Sequence, residues 1–467
     1  MASTGSCSRT WRDELTTTPE LPAGLPELLR DWLPQQRWYS GKGRPIHSLA
    51  ISNTTRLSQR DPTLDHLVVA VDHGDGAERY QLFLSLRTSV PERLDHALVG
   101  WAGEIAVLDA AHDQEATRIL LSGLAAEWTV EPMTFRRLTD RLETDLPSLM
   151  MGAEQSNSSL IYGDRYILKL FRRISPGLNP DLEVTRALAD LGCLRIVPPL
   201  GYLETMLDGE PTTVAMLQPF LKSASDGWAL AVTSVRDLYA EGDLHADEVG
   251  GDFAAEAERL GQATAEVHQR MAEALPSGVA DADDQAQTLV RMQERLDAAL
   301  GAVPALRRFE AGLRAAFQAV AEESGPIAVQ RIHGDFHLGQ VMRTEAGWVL
   351  FDFEGEPARP LEQRVALMSP LRDVAGMLRS FDYAARHLLT DHPAEPHLAY
   401  RAAEWAERNR EAFCDGYALA GGPDPRDGGR LLRAFELDKA VYEVVYETRN
   451  RPSWLPIPLG SIERIVA

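Results

Sequence analysis

The spacing of apolar residues changes character twice along the chain. Residues 25–38 repeat leucine and tryptophan at helical spacing and read as a short helix ending in Leu33-Pro34-Gln35-Gln36-Arg37-Trp38-Tyr39. Three runs of strand texture follow, 48–57, 67–71 and 80–86. Asn53-Thr54-Thr55 reads as a strand break between them, and Asp72-His73-Gly74-Asp75-Gly76 as a turn. A second β-rich stretch runs from about 128 to 221. Within it, Ser158-Ser159-Leu160-Ile161-Tyr162 and Arg165-Tyr166-Ile167-Leu168-Lys169-Leu170-Phe171 flank Gly163-Asp164, the pattern of a β-hairpin. Asn179-Pro180-Asp181 opens a helix carrying Glu183, Ala187 and Leu188, and a strand over 213–217 closes at Gln218-Pro219. From residue 223 the period lengthens, and 253–275, 285–300 and 303–323 read as helices rich in Ala, Leu, Glu and Arg. One strand pair, near 329–332 and 348–353, interrupts them, and the acidic tract 280–284 reads as a surface loop. No internal repeat is visible. The pattern predicts an α+β protein in three parts: an N-terminal cap subdomain over 1–115, a β-rich N-lobe over 116–222 and a helical C-lobe over 223–467.

Composition narrows the function. Apolar residues are 44% and charged residues 25% of the 467, ordinary values for a globular chain, which excludes a disordered or fibrous one. With 47 basic against 69 acidic residues the net charge is −22. A surface this acidic argues against nucleic acid and anionic membrane as partners, although a local basic pocket stays compatible. Cys7, Cys193 and Cys414 lie far apart and form no CxxC pair, so no zinc module is expected. The first 15 residues are polar and hold no apolar signal core, and no apolar run approaches the roughly 20 residues of a membrane span. The expected location is the cytoplasm.

The chemistry concentrates in His333-Gly334-Asp335-Phe336-His337-Leu338-Gly339-Gln340 and in Val349-Leu350-Phe351-Asp352-Phe353-Glu354. Asp335 and Gln340 are five apart in a loop after a strand, and Asp352 follows a second apolar strand. An Asp base, four residues, an amide metal ligand and then a strand-borne Asp on magnesium is the layout of a protein-kinase catalytic loop. Magnesium prefers oxygen ligands, which Gln340 and Asp352 supply, with Glu354 nearby. On the nucleotide side, Lys169 ends a strand and suits the α- and β-phosphates, and Glu183 on the next helix is the candidate acid that orients it. Arg172 and Arg173 rival Lys169 for that role, and a snorkelling strand lysine is the bland alternative. The turn Glu154-Gln155-Ser156-Asn157-Ser158-Ser159 lies where a phosphate-covering loop belongs, so Ser156 and Ser158 are candidate nucleotide contacts, and Gln218 is the candidate for adenine. Neither G-x-G-x-x-G nor a P-loop occurs.

The segment His333 to Gln340 resembles the catalytic motif of the aminoglycoside phosphotransferase-like kinases, although that superfamily commonly has Asn in place of Gln340. The substitution, together with Asp352-Phe353-Glu354-Gly355-Glu356-Pro357 and Ser369-Pro370-Leu371-Arg372-Asp373-Val374-Ala375-Gly376-Met377, resembles the maltokinase family. So do Arg37-Trp38-Tyr39-Ser40-Gly41-Lys42, Glu436-Leu437-Asp438-Lys439-Ala440-Val441-Tyr442-Glu443 and Trp454-Leu455-Pro456-Ile457-Pro458. The resemblance implies a monomer with a bilobal, protein-kinase-like fold and an N-terminal cap subdomain. It implies ATP and magnesium as cofactors, and phosphorylation of the anomeric hydroxyl of maltose to maltose 1-phosphate for α-glucan synthesis. Related kinases of glucosamine share these motifs, so another sugar or amino sugar is the alternative acceptor. A catalytically silent kinase fold that binds nucleotide or a partner is a third reading.

A neutral sugar calls for planar hydrogen-bonding groups and an aromatic platform. The expected helix over 431–449 places Phe435, Lys439, Tyr442, Glu443, Tyr446 and Arg449 on one side and Leu437, Ala440, Val441, Val444 and Val445 on the other. Lys439, Tyr442, Glu443 and Tyr446 are therefore the candidate sugar contacts, with Trp405, Arg408 and Trp454 weaker; a solvated face is the alternative. Ser369 can cap the helix starting at Pro370. By analogy with kinases Asp373 holds the backbone of the loop from His333 to Asp335, and His333 shapes that loop. Arg37, Trp38 and Tyr39 read as anchors of the cap.

Overall fold

Strands 63–72 and 77–87 carry consecutive apolar residues in their central parts, Leu67–Val71 and Leu82–Leu84, and the reason is visible once they pair. A computed structural model describes residues 20–466 except 75, 153–155, 242–243, 323–324, 357–358 and 391–395; the N-terminal segment with Cys7, and Glu154 and Gln155, lie outside these residues. Ser48–Ser58, Thr63–Asp72, Ala77–Arg87, Ile105–Asp109 and Leu98–Ala102 form an antiparallel five-stranded sheet in that order. One face packs on Leu25, Leu29 and Leu33 of the N-terminal helix Leu25–Trp32 and its 3₁₀ extension, with Trp38 and Tyr39. The other face sends Leu64, Val68 and Phe83 into a core shared with Phe135, Leu160, Leu168 and Met216. A sheet buried on both faces loses the apolar–polar alternation of a half-exposed one. Asn53-Thr54-Thr55 does not break the first strand. The ladder runs through with an irregularity between Ile51 and Asn53, a bulge that absorbs the extra residue.

The second sheet has seven antiparallel strands, and its centre is Glu210–Pro219 between Gly201–Leu207 and Tyr166–Leu170. The hairpin of Ser158–Tyr162 and Tyr166–Leu170 pairs Leu160 with Leu168. Arg79 and Gln81 of the cap sheet bond the backbone of Arg172 and Ile174 just beyond that hairpin, so the cap grips the segment after Lys169. These elements belong to one compact unit, Met1–Leu182 with Pro198–Lys222.

The other unit, Glu183–Val197 with Ser223–Ala467, is built on helices. Ala254–Ala274 crosses Pro396–Leu419 at backbone contact: a Cβ on Gly416 would stand 1.9 Å from the Glu258 carbonyl, and one on Gly261 2.0 Å from that of Phe413. Three expectations change here. Ile327–Gln330 pairs with Ser277–Ala280, and Gly347–Leu350 with Val341–Thr344, so the two runs expected to pair with each other each take a nearer or better-matched partner. The tract over 280–284 is a helix start, because Asp281 and Asp284 form a reciprocal capping box. Pro304 divides 303–323 into a 3₁₀ turn and the helix Glu310–Glu322. Gly429–Asn450 is one helix, and both of its faces are largely buried. Among the described residues no helix is long and apolar enough to cross a membrane.

Candidate active site

The loop from Ile332 to Gln340 is held by its backbone. Asp373, near the start of the helix Leu371–Arg386, accepts from the N–H of His333 at 2.7 Å and of Gly334 at 2.9 Å. His268 holds the same carboxylate at 3.1 Å and is itself bonded to Tyr417. Ser369 Oγ accepts from the N–H of Leu371 at 3.4 Å, so the helix begins one residue beyond Pro370. His333 donates from Nε2 to the Phe351 carbonyl at 2.9 Å, tying the loop to the strand that leads to Asp352. Gly334 sits at φ 82, open only to residues without a Cβ penalty, and a Cβ on Gly376 would meet the Phe336 carbonyl at 2.5 Å. The loop is thus clamped from three sides and delivers Asp335 in one orientation.

Asp335 faces Lys439, whose Nζ lies 2.9 Å from Oδ1. Burial pushes the Asp335 carboxyl up, but the Lys439 ammonium, then His337, pull harder and hold it well below the usual carboxylate range. Lys439 stays protonated: burial opposes its charge, and Asp335 and Glu356 more than restore it. The ammonium also lies 5.0 Å from the Tyr442 ring centre, and Tyr442 stacks on Tyr446 at 6.2 Å. Burial, then Glu356, raises the Tyr442 phenol to about 12, so it is a hydrogen-bond donor at neutral pH.

Gln340 Nε2 bonds Asp352 Oδ2 at 3.0 Å, and carboxylate oxygens of Asp352 and Glu354 lie within 4.8 Å of each other. Asp352 has φ 68, a conformation that costs a non-glycine residue energy and that clusters at functional sites. These are oxygen donors of the kind magnesium takes once the Gln340 amide turns its oxygen inward.

In the β-rich unit Lys169 Nζ meets Asp181 Oδ2 at 3.0 Å and lies over the Phe171 ring. The acid on Lys169 is therefore Asp181, two residues before Glu183. Glu183 takes Arg331 at 2.6 Å in the helical unit, where the division of the chain places it. Asp181 stands in the first helical turn behind Pro180, and an acid there is the signal that would have singled it out. Ser158 is buried on its strand and accepts from Arg172 Nε at 2.7 Å, which removes it from any phosphate-covering turn; Ser156 remains exposed. Arg172 is spent the same way, on Asp109 at 2.8 Å and the Trp38 ring. Gln218 lies in the central strand opposite Ile167 and is 9% exposed.

Of the four expected sugar contacts, Lys439, Tyr442 and Tyr446 line one half-buried stripe. Glu443 is not on it. It is buried and bonded through Oε2 to Arg379 at 2.7 and 3.1 Å, because the helix is enclosed on nearly every side. Phe435 is likewise buried under Arg372, and Trp405 lies in the core on Ser234. Arg408 pairs with Asp252, and Trp454 stacks on Trp228.

A clamped loop presenting an aspartate, followed by an amide and a second aspartate on a strained backbone, defines a phosphotransferase of the kinase type. Residues 147–421 match the model of the phosphotransferase enzyme family and residues 32–113 that of the maltokinase N-terminal cap domain, and the chain belongs to the phosphotransferase enzyme family. It is similar to a glucosamine kinase of Streptacidiphilus jiangxiensis, 31% identical over 65% of this chain and 70% of that one. A glucosamine kinase of Mycolicibacterium smegmatis is 28% identical over 67% of this chain and 78% of its own. Among solved structures, a glucosamine kinase in complex with glucosamine, ADP and inorganic phosphate aligns with TM-score 0.69 at 25% identity, covering 97% of this chain and all of that one.

Proposed function

We propose that this protein is an ATP-dependent sugar kinase that phosphorylates the anomeric hydroxyl of maltose, giving maltose 1-phosphate. The observation that carries the reading is the 2.9 Å pair of Lys439 with Asp335 beside the Tyr442 ring. Asp335 is the group that receives the proton of the attacking hydroxyl, and Lys439 keeps it ionised and ready. Phosphoryl transfer has a loose transition state, so orienting the hydroxyl matters more than base strength. A cation beside the base repels an acceptor that is itself an ammonium, which favours a neutral sugar, and the tyrosine ring offers a platform for a pyranose face. Lys169, steadied by Asp181, is the cation for the nucleotide's phosphates. Gln340 and Asp352, with Glu354 near, would hold magnesium, which neutralises charge on the phosphoryl group being transferred. The cap of the maltokinase type supports maltose.

The second reading, glucosamine, is favoured by the names of the two relatives and of the structural neighbour. ADP release measured with ATP, magnesium and either sugar separates the readings. Turnover with maltose well above that with glucosamine, and a product whose phosphorus couples to the anomeric proton, is expected. Turnover confined to glucosamine would establish the second reading, and a protein that binds ATP yet turns over neither would be the silent relative.

A further inference from the structure

Beside Asp335, within the helical unit, a cavity of about 40 Å³ enters between Phe336, Gly376 and Phe435. That is room for one substituent of a sugar, or one water, and not for a pyranose ring. Asp438 lines it and is 2% exposed. Its Oδ2 accepts from Arg295 at 3.2 Å and from Arg372 at 3.1 Å, while Oδ1 is buried with no hydrogen-bond partner among the described residues. Arg372 is fixed in turn by the Phe435 ring, 4.5 Å beneath its guanidinium. A buried carboxylate oxygen without a donor is costly, and such atoms are usually met by water or ligand. The group that would satisfy Oδ1 must donate a hydrogen, so it is a hydroxyl or an ammonium. Charge chooses between them. The single charge of Asp438 already faces two guanidiniums, and Arg359 and Lys439 add two more cations to the wall. Asp335, Glu356, Asp373 and Asp438 bring the total to zero, so the cavity has no net pull on a cation.

We infer that Asp438 is a specificity-determining residue whose Oδ1 accepts a hydrogen bond from a second hydroxyl of the acceptor while Asp335 engages the reacting one. The inference rests on the reading of Asp335 as the base, and it adds that this cavity selects hydroxyl over ammonium at that substituent. The test uses monodeoxy analogues of maltose, each lacking one hydroxyl. With the wild-type protein one analogue should show KM raised at least tenfold, with KM for ATP within twofold of its value with maltose. Asp438→Asn should raise KM for maltose by a similar factor, and against that one analogue the variant and the wild type should be equal. If no single deoxy analogue weakens the wild type, or if Asp438→Asn raises KM alike for every analogue, the inference is wrong and Asp438 only holds its arginines. Should Asp438→Asn not fold, Asp438→Glu, which keeps the charge facing Arg295 and Arg372, is measured against the same series, and the same pattern is expected of it. Asp335→Asn measured alongside separates the two claims. Normal turnover in it overturns the assignment of the base, whereas a failure of the deoxy pattern alone overturns only the role of Asp438.

Discussion

At the scale of single residues the site turns on how Lys439 sets the ionisation of Asp335. With the ammonium 2.9 Å away, the carboxylate is ionised far below neutral pH, so Asp335 contributes no acid limb to kcat/KM down to about pH 5. Removing the cation lets burial dominate and raises the carboxyl. Lys439→Met should therefore move the acid limb of kcat/KM to higher pH and raise KM for maltose more than that for ATP. A profile superimposable on the wild type would mean that Lys439 does not govern the base. The motif around Asp335 was legible because spacing in a loop carries the chemistry directly. For Lys169 the sequence pointed to an acid on the next helix but to the wrong one: Asp181 and Glu183 sit on one helix, and only the three-dimensional course of the chain sends Asp181 to Lys169 and Glu183 to Arg331. Ser158 misled for a related reason, since a serine at a strand start looks like a loop hydroxyl until Arg172 is seen bonded to it.

At the scale of elements, the helix Gly429–Asn450 carries Lys439 to Asp335 and so bears the proposed acceptor side of the site. Three of its four acids are met by an arginine from another element, Glu436 by Arg410, Asp438 by Arg295 and Arg372, and Glu443 by Arg379, while Glu447 takes Arg451 at the helix's own C-terminus. A helical wheel drawn from sequence cannot distinguish a polar face turned to solvent from one enclosed by partner cations, which is why Glu443 read as a sugar contact. The same acids at otherwise apolar positions are the sign of buried pairs once Asp438 is noticed between Leu437 and Val441. Arg379, 1% exposed, also bonds Asp382 and Ser461. Breaking such a pair strands a charge, and Arg379→Met should cost about 3–5 kcal/mol in urea unfolding. Adding Glu443→Leu removes the stranded charge, so the double variant should be more stable than the sum of the two single losses. Strict additivity would show that the pair is not coupled.

At the scale of the whole molecule, the strands and long helices were legible because their periods, 2 and 3.6, are set by which faces are buried. The pairing of the short strands around the catalytic loop was not, because several apolar runs of similar length compete and tertiary packing chooses among them. The cap sheet shows how burial on both faces also governs stability. His66 lies within it, bonded through Nε2 to Gln81 at 3.0 Å, with Nδ1 unpartnered among the described residues, and burial lowers its pKa from 6.5 to about 4. The unfolded chain then takes up a proton that the folded one refuses. The contribution of His66 is therefore complete above pH 6.5 and is lost as pH falls toward about 4. His66→Leu should flatten the decline of Tm across that window, and an unchanged slope would place the acid sensitivity elsewhere. The proposed function stands on Asp335 as the base of a sugar kinase. The most direct measurement is ADP formation with saturating ATP, magnesium and maltose, comparing the wild-type protein with Asp335→Asn while ATP binding is followed by calorimetry. The account predicts a fall in turnover of about 10²–10⁴-fold with ATP affinity kept; near-normal turnover in the folded variant would contradict it.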